Sequence, residues 1–167
     1  MVKEVPVLCI VGPSRSGKTT LMEALIKELS SRGYRVATIK HSHHTVELDQ
    51  PGKDSWRHRQ AGAILSIFAS PRSVAVFSDM EQELTLEELC VRFIHQADIV
   101  LVEGYKSTSY PKLLVLGDGR WNEMEWEGVT AIISVQNICV NVPVFRPNDV
   151  AGMVRFLADE FLGGGKP

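Results

Sequence analysis

Eight residues near the amino terminus, Gly12-Pro13-Ser14-Arg15-Ser16-Gly17-Lys18-Thr19, restrict this chain more than any other stretch, because they join an apolar run to an amphipathic one. The run before them, Val5 to Val11, has strand length and is closed by Gly12-Pro13. After Thr19 the pattern changes. Leu21, Leu25 and Leu29 recur at i, i+4 and i+8 with Met22 and Ile26 beside them, which predicts a helix with one apolar stripe. Ser30-Ser31-Arg32-Gly33 stops it, and Gly33 suits a left-handed cap. The octet matches G-x-x-x-x-G-K-[ST], and a strand-to-helix turn is the context that this motif demands.

The chemistry accounts for the residue types. Gly12 and Gly17 let the backbone wrap a phosphate and aim N–H groups at it from the start of a helix, whose dipole favours anions. Lys18 is placed to reach the β- and γ-phosphates, and the Thr19 hydroxyl to sit on Mg²⁺. Gly12 through Thr19, with Thr20 behind them, are the expected phosphate-binding residues. Arg15 is open between phosphate contact and solvent. The alternative for the whole octet is a glycine-rich turn with a solvated lysine.

Tyr34 to Lys40 reads as a second strand, completing a strand, helix, strand unit of the length a parallel crossover needs. Asp54 to Gly62 reads as a short helix, Ala63 to Ala69 and Ser73 to Ser78 as strands, and Thr85 to Ile94 as a helix opened by a Thr85/Glu88 capping box. Ile99 to Val102, Lys112 to Leu116 and Val129 to Val135 read as central strands. A last helix starts near Asn148 or Asp149 and carries Val150, Val154, Leu157 and Phe161 along one side. Alternating strands and helices predict an α/β fold of the P-loop type, a doubly wound, mainly parallel sheet with helices on both faces. The 167 residues suit one domain over 1–162, with the glycine-rich 163–167 as a flexible tail.

A formal net charge of −2 offers no global basic field for sequence-independent nucleic-acid binding. No apolar run has the length to span a bilayer. Cys9, Cys90 and Cys139 are odd in number, far apart and set in apolar surroundings, so buried thiols and a cytoplasmic location are expected.

Glu103 ends an apolar strand and is followed by Gly104, the position of a Walker B acid at the carboxyl edge of a parallel sheet. It is either linked to Mg²⁺ or a solvated strand-end carboxylate; the usual residue there is Asp, and Asp98 lies at the wrong end of the strand. Asp49 and Asp54 follow the second strand, where a carboxylate can meet Mg²⁺ or the attacking water, though Asp54 is equally placed to N-cap the helix carrying Trp56. Lys40, His41, His43 and His44 suit anion contact, such as to nucleotide phosphate, or form an exposed polar loop. Their spacing is not that of a structural zinc site. Trp56 is expected to pack inward, with Arg57 and Arg59 facing water or a partner subunit. No N-K-x-D or T-K-x-D signature reads the base, and Arg146-Pro147-Asn148-Asp149 is a reasonable place for it.

The segments Ile39-Lys40-His41-Ser42-His43-His44, Asp49-Gln50-Pro51-Gly52-Lys53-Asp54-Ser55-Trp56-Arg57, Ala61-Gly62-Ala63 and Val100-Leu101-Val102-Glu103-Gly104-Tyr105-Lys106 closely resemble the molybdopterin-guanine dinucleotide biosynthesis adapter family, MobB. The resemblance runs from the first strand to the last helix. It implies a GTP-binding, weakly GTP-hydrolysing homodimer that assists the guanylyltransferase attaching GMP to molybdopterin, with molybdopterin itself a further candidate ligand. On that reading Lys18, Asp54 and Glu103 are the candidate catalytic residues, Thr19 and Glu103 the Mg²⁺ ligands, and Lys40, His41 and Asp49 join the loop in nucleotide binding. A small-molecule kinase and a non-enzymatic nucleotide-bound module are the competing functions; no arginine-rich lid stands between Met80 and Glu88 to favour the kinase. The dimer has thin support from residues alone: Lys112 to Leu116 and Val129 to Val135 either leave an edge to cover or lie inside one sheet.

Overall fold

The structure, a computed structural model, describes residues 5–117 and 127–164. Its elements in chain order are β1 (Val7–Val11), α1 (Lys18–Ser31), β2 (Val36–Lys40), α2 (Asp54–Gln60), β3 (Leu65–Ala69), β4 (Val74–Ser78), α3 (Leu86–Phe93), β5 (Ile99–Glu103), β6 (Lys112–Gly117), β7 (Val129–Ser134), β8 (Val144–Phe145) and α4 (Val150–Phe161). They form two compact units, one from the chain up to His41 and from Phe93 onward, the other from Ser42–Arg92.

The first unit is built on a six-stranded sheet in the order β2-β5-β1-β6-β7-β8. Every pairing in it is parallel. A parallel sheet is covered on both faces, so its inner strands carry unbroken apolar runs, and β1 and β5 are buried along their whole length. Leu8, Ile10, Leu101, Leu113 and Ile133 share one core with Leu21, Leu25 and Leu29 of α1 and with Met153, Val154 and Leu157 of α4. Each fully buried leucine there contributes roughly 2 kcal/mol. On the opposite face Cys9 meets the segment that joins β5 to β6, its Sγ lying 3.7 Å from Thr108 Oγ1, and burial pushes the thiol pKa up.

Local signals are realised closely. Gly33 takes φ +79° and donates to Ser30 O at 3.0 Å, while Tyr34 N donates to Leu29 O at 3.1 Å, a Schellman ending for α1. Thr85 N donates to Glu88 Oε2 at 2.8 Å and Glu88 N to Thr85 Oγ1 at 3.2 Å, the expected capping box. Asp149 N-caps α4 by accepting from Gly152 N at 3.0 Å. Among the described residues no helix is long and apolar enough to cross a membrane.

Of the two alternatives for Lys112 to Leu116 and Val129 to Val135, the interior one holds: among the described residues β6 and β7 each have a strand on both sides, as central strands, and the edges of the large sheet are β2 and β8. Several expectations are corrected. The strands β3 and β4 form an antiparallel hairpin of their own in the second unit, with Ile67 opposite Val76 and Ala69 opposite Val74. Its connection is too short for a parallel crossover, which needs a dozen or more residues. Only Cys9 of the three thiols is buried, Cys139 being exposed. The short strand β8 was not foreseen. Gly163 and Gly164, both at positive φ, begin the expected tail, whose residues 165–167 lie outside those described.

Candidate functional site

Because all six strands of the large sheet run the same way, the turns after them share one edge. This brings together Gly12 after β1, His41 after β2, Gly104 after β5 and the end of β6 at Gly117. Open parallel sheets bind ligands at that edge.

The octet folds as a loop feeding directly into α1. Gly12 has φ +146°, and a Cβ there would stand 2.1 Å from Val115 O and 3.1 Å from Ser16 Oγ. No side chain larger than hydrogen fits between the loop and β6. Arg15 and Gly17 also take positive φ, +60° and +94°, the kind of backbone from which anion-binding concavities of successive N–H groups are built. The helix that follows has Gly17 at its N-cap, no capping side chain and no acid in its first turn. Its first amides and dipole are left to an anion. Ser16 Oγ is buried without a hydrogen-bond partner. A cradle that excludes a methyl group, an uncapped helix start and an orphaned hydroxyl fit a phosphate group.

Lys18 curls over this loop, donating to Gly12 O at 3.1 Å and Pro13 O at 2.5 Å. Burial lowers its pKa, while Glu103 nearby raises it and Lys40 lowers it. Thr19 Oγ1 donates to Glu103 Oε2 at 3.3 Å, and Lys40 Nζ pairs with Glu103 Oε1. The carboxylate at the end of β5 is therefore 7% exposed and turned toward the loop, not solvated. Among the described residues no three His, Cys, Asp or Glu side chains gather as a metal cage. Thr19 and Glu103 still fit Mg²⁺, which takes one or two protein oxygens and the rest from phosphate and water.

His41 lies against this centre, its N donating to Glu103 O at 2.9 Å and its ring stacked on Tyr105 with centroids 4.3 Å apart. Gly104, at φ +112°, leaves room for it, since a Cβ would come within 2.9 Å of His41 Cβ. Tyr105 follows at φ +52°, a conformation that aromatic residues rarely adopt. Asp98 stands at the amino end of β5 and binds Arg35, with Nη2 to Oδ1 at 2.9 Å, as its place in the sequence implied.

Two residues beneath the loop escaped the sequence reading. Gly117 at φ +58° ends β6 so closely under the loop that a Cβ would stand 3.0 Å from Ser16 Cα, and Val115 O is the atom against which Gly12 packs. The available signal was a glycine closing an apolar strand, the same that singled out Glu103-Gly104. Pro13, Ser14, Arg15 and Thr20 are exposed around the cradle.

Asp49, Asp54, His43 and His44 belong to the second unit. Asp49 is 5% exposed, and its Oδ1 accepts from Ser55 Oγ at 2.9 Å and Gln50 N at 2.8 Å. Arg59 Nε lies 3.6 Å from Asp49 Oδ2, and the same guanidinium binds Glu47 and Asp79. Arg59 thus faces acids and not water, contrary to expectation, whereas Arg57 is exposed. The N-cap of α2 is Lys53, not Asp54; Asp54 is the first helical residue, where its charge complements the dipole. Trp56 is only half-buried. Asp49→Asn should lower the midpoint of thermal unfolding by about 5 °C by weakening this cluster; an unchanged midpoint in a calorimetric scan would deny the carboxylate a structural role.

At the far side of the edge, Arg146 ties the turns after β8 and β7 together, its Nη2 donating to Asn137 Oδ1 at 2.5 Å. In the segment 146–149, where the base was expected, Arg146 and Asp149 are thus already engaged within the fold.

Comparison with known proteins points in one direction. The family described as "Molybdopterin guanine dinucleotide synthesis protein B" matches residues 7–136. The molybdopterin-guanine dinucleotide biosynthesis adapter protein of Escherichia coli is 36% identical over 162 residues, covering 93% of both chains. Its counterpart in Haemophilus influenzae is 44% identical over 116 residues, 69% of this chain and 65% of the relative's length. A crystal structure of molybdopterin-guanine biosynthesis protein B superposes with a TM-score of 0.76 at 26% identity, over 92% of this chain and 97% of the other.

Proposed function

This chain belongs to the molybdopterin guanine dinucleotide synthesis protein B family, and from that premise we propose that it is a GTP-binding adapter with slow Mg²⁺-dependent hydrolysis, assisting the guanylyltransferase that attaches GMP to molybdopterin. The observation carrying the nucleotide part is the cradle at Gly12, too tight for any side chain and closed by Lys18. Lys18 and the amides at the start of α1 neutralise and orient the phosphates. Thr19 and Glu103 would hold Mg²⁺, which when bound supplies charge neutralisation at the phosphate oxygens and polarises water. Glu103, buried and facing the loop, places two carboxylate oxygens beside Thr19 where a cation is needed. The choice of guanine comes from the family and not from a residue signature.

Isothermal titration with GTP, ATP and GDP in Mg²⁺ tests this reading. GTP and GDP are expected to bind with ATP at least about tenfold weaker, a difference of roughly 1.4 kcal/mol. No heat from any of the three in a folded sample would refute nucleotide binding, and equal affinities would refute the guanine assignment.

Glu103→Gln keeps the side chain's shape and removes its charge, so hydrolysis per bound nucleotide should fall by at least about tenfold while nucleotide affinity changes by less than about threefold. Single-turnover phosphate release checks this. Equal rates in the two proteins would make Glu103 a bystander.

A homodimer is the proposed assembly. The hairpin supports it: Leu65, Ile67, Val74 and Val76 lie on one face and are 47%, 59%, 67% and 46% exposed. Four neighbouring apolar side chains in water invite a self-complementary partner. Light scattering should give a dimeric mass at low micromolar concentration that persists in high salt, since an apolar contact is not screened. A monomeric mass under all conditions, with or without GTP, would overturn it.

A further inference from the structure

The buried carboxylate of Glu103 has two partners of different kinds. Oε2 accepts the Thr19 hydroxyl at 3.3 Å, and Oε1 holds the Lys40 ammonium. The Glu103 side chain is 9% exposed and that of Lys40 63%, so the ammonium reaches in from solvent on a stem that remains free to leave. The pairing is set by the sheet: in the β2–β5 ladder Lys40 lies directly opposite Glu103, with their side chains on one face. A carboxylate and a threonine hydroxyl at the rim of a phosphate cradle are the oxygen donors a hard divalent cation takes. Here one of them is engaged by a monovalent cation belonging to the chain itself.

Resting on the reading of this cradle as a nucleotide site, we propose that Lys40 is an internal counter-ion, holding Glu103 in the metal-free protein and competing with a divalent cation for the same carboxylate. Two states follow. With Lys40 engaged, the positive charge at the site comes from Lys18 and Lys40, and nucleotide binds with little help from metal. With Lys40 displaced, Glu103 and Thr19 are free to act as donors, while the backbone bond from His41 N to Glu103 O keeps the end of β2 in place. Lys40 therefore sets how strongly nucleotide binding depends on metal.

Removing the ammonium leaves a buried charge without its counter-ion, which raises the demand for another cation. Mn²⁺ binding to the nucleotide-free protein, followed by electron paramagnetic resonance, reads this directly. Lys40→Met should bind Mn²⁺ at least about tenfold more tightly than the unaltered protein, and adding Glu103→Gln should abolish the gain. Lys40→Gln serves the same purpose if the methionine variant does not fold. In a second arm, GDP is titrated in EDTA and in Mg²⁺, and the ratio of the two dissociation constants should rise by about tenfold on losing Lys40. Equal Mn²⁺ affinity with and without Lys40 would overturn the proposal. Failure of GDP to bind the unaltered protein in either buffer would instead count against the nucleotide reading, because the Mn²⁺ arm needs no nucleotide.

Discussion

Lys18→Ala is expected to weaken triphosphate binding by at least about a hundredfold, roughly 3 kcal/mol, while the protein stays folded. The size follows from what the ammonium does. It spans the loop and is held by two backbone carbonyls, Gly12 O and Pro13 O. Burial lowers its pKa, so part of its solvation has already been given up before a ligand arrives. A phosphate oxygen meeting it gains a charge-assisted hydrogen bond, stronger than one between neutral groups. The alanine variant loses that bond yet removes nothing from the apolar core, since Lys18 contributes no side chain to it. Calorimetric titration with GTP and circular dichroism together check the claim. Unchanged affinity in a folded variant would mean that the loop does not hold a triphosphate.

Gly12→Ala should be the most damaging single methyl in the first unit. The added Cβ would stand 2.1 Å from the backbone oxygen of Val115, in the middle of a buried strand that cannot move aside. The φ of +146° is itself a conformation that alanine adopts only under strain. Relief requires the loop to lift off β6, which also pulls Ser16 away from Gly117. A stability loss on the order of 3–5 kcal/mol is expected, with nucleotide binding lost in whatever folded fraction remains. Urea unfolding measures the first and titration the second. A variant within about 1 kcal/mol of the parent would show that the loop and β6 are not packed as described.

The two variants probe different levels of the same site. Lys18 is legible from the motif alone, because the chemistry of phosphate binding names the residue. The severity at Gly12 depends on Val115, on a strand that enters the sheet only after about a hundred residues of intervening chain. Glu103 lies between these cases: its strand-end position was readable, but its burial and its two partners were not. Placing Arg59 toward water or a partner subunit failed for a related reason. A basic residue on a short helix is ordinarily exposed, and only the return of Glu47, Asp49 and Asp79 to the same place draws it in.

Whatever a few neighbouring residues decide is written locally: the strand before the loop, the phosphate motif, the amphipathic helix after it, the glycine ending of α1, the Thr85/Glu88 box and the start of the last helix at Asn148 or Asp149. These depend on periodicity and on the backbone needs of single residues, which act within one or two turns of chain. Long-range packing alone places β5 between β1 and β2, so that Lys40 meets Glu103, and brings Gly117 beneath Ser16. It also separated β3 and β4 from the main sheet, although their local pattern is as strand-like as the rest. Which strands become neighbours, and in what register, follows from the summed burial of segments distant in the chain. Apolar strands with nearly interchangeable side chains carry almost no local record of that choice.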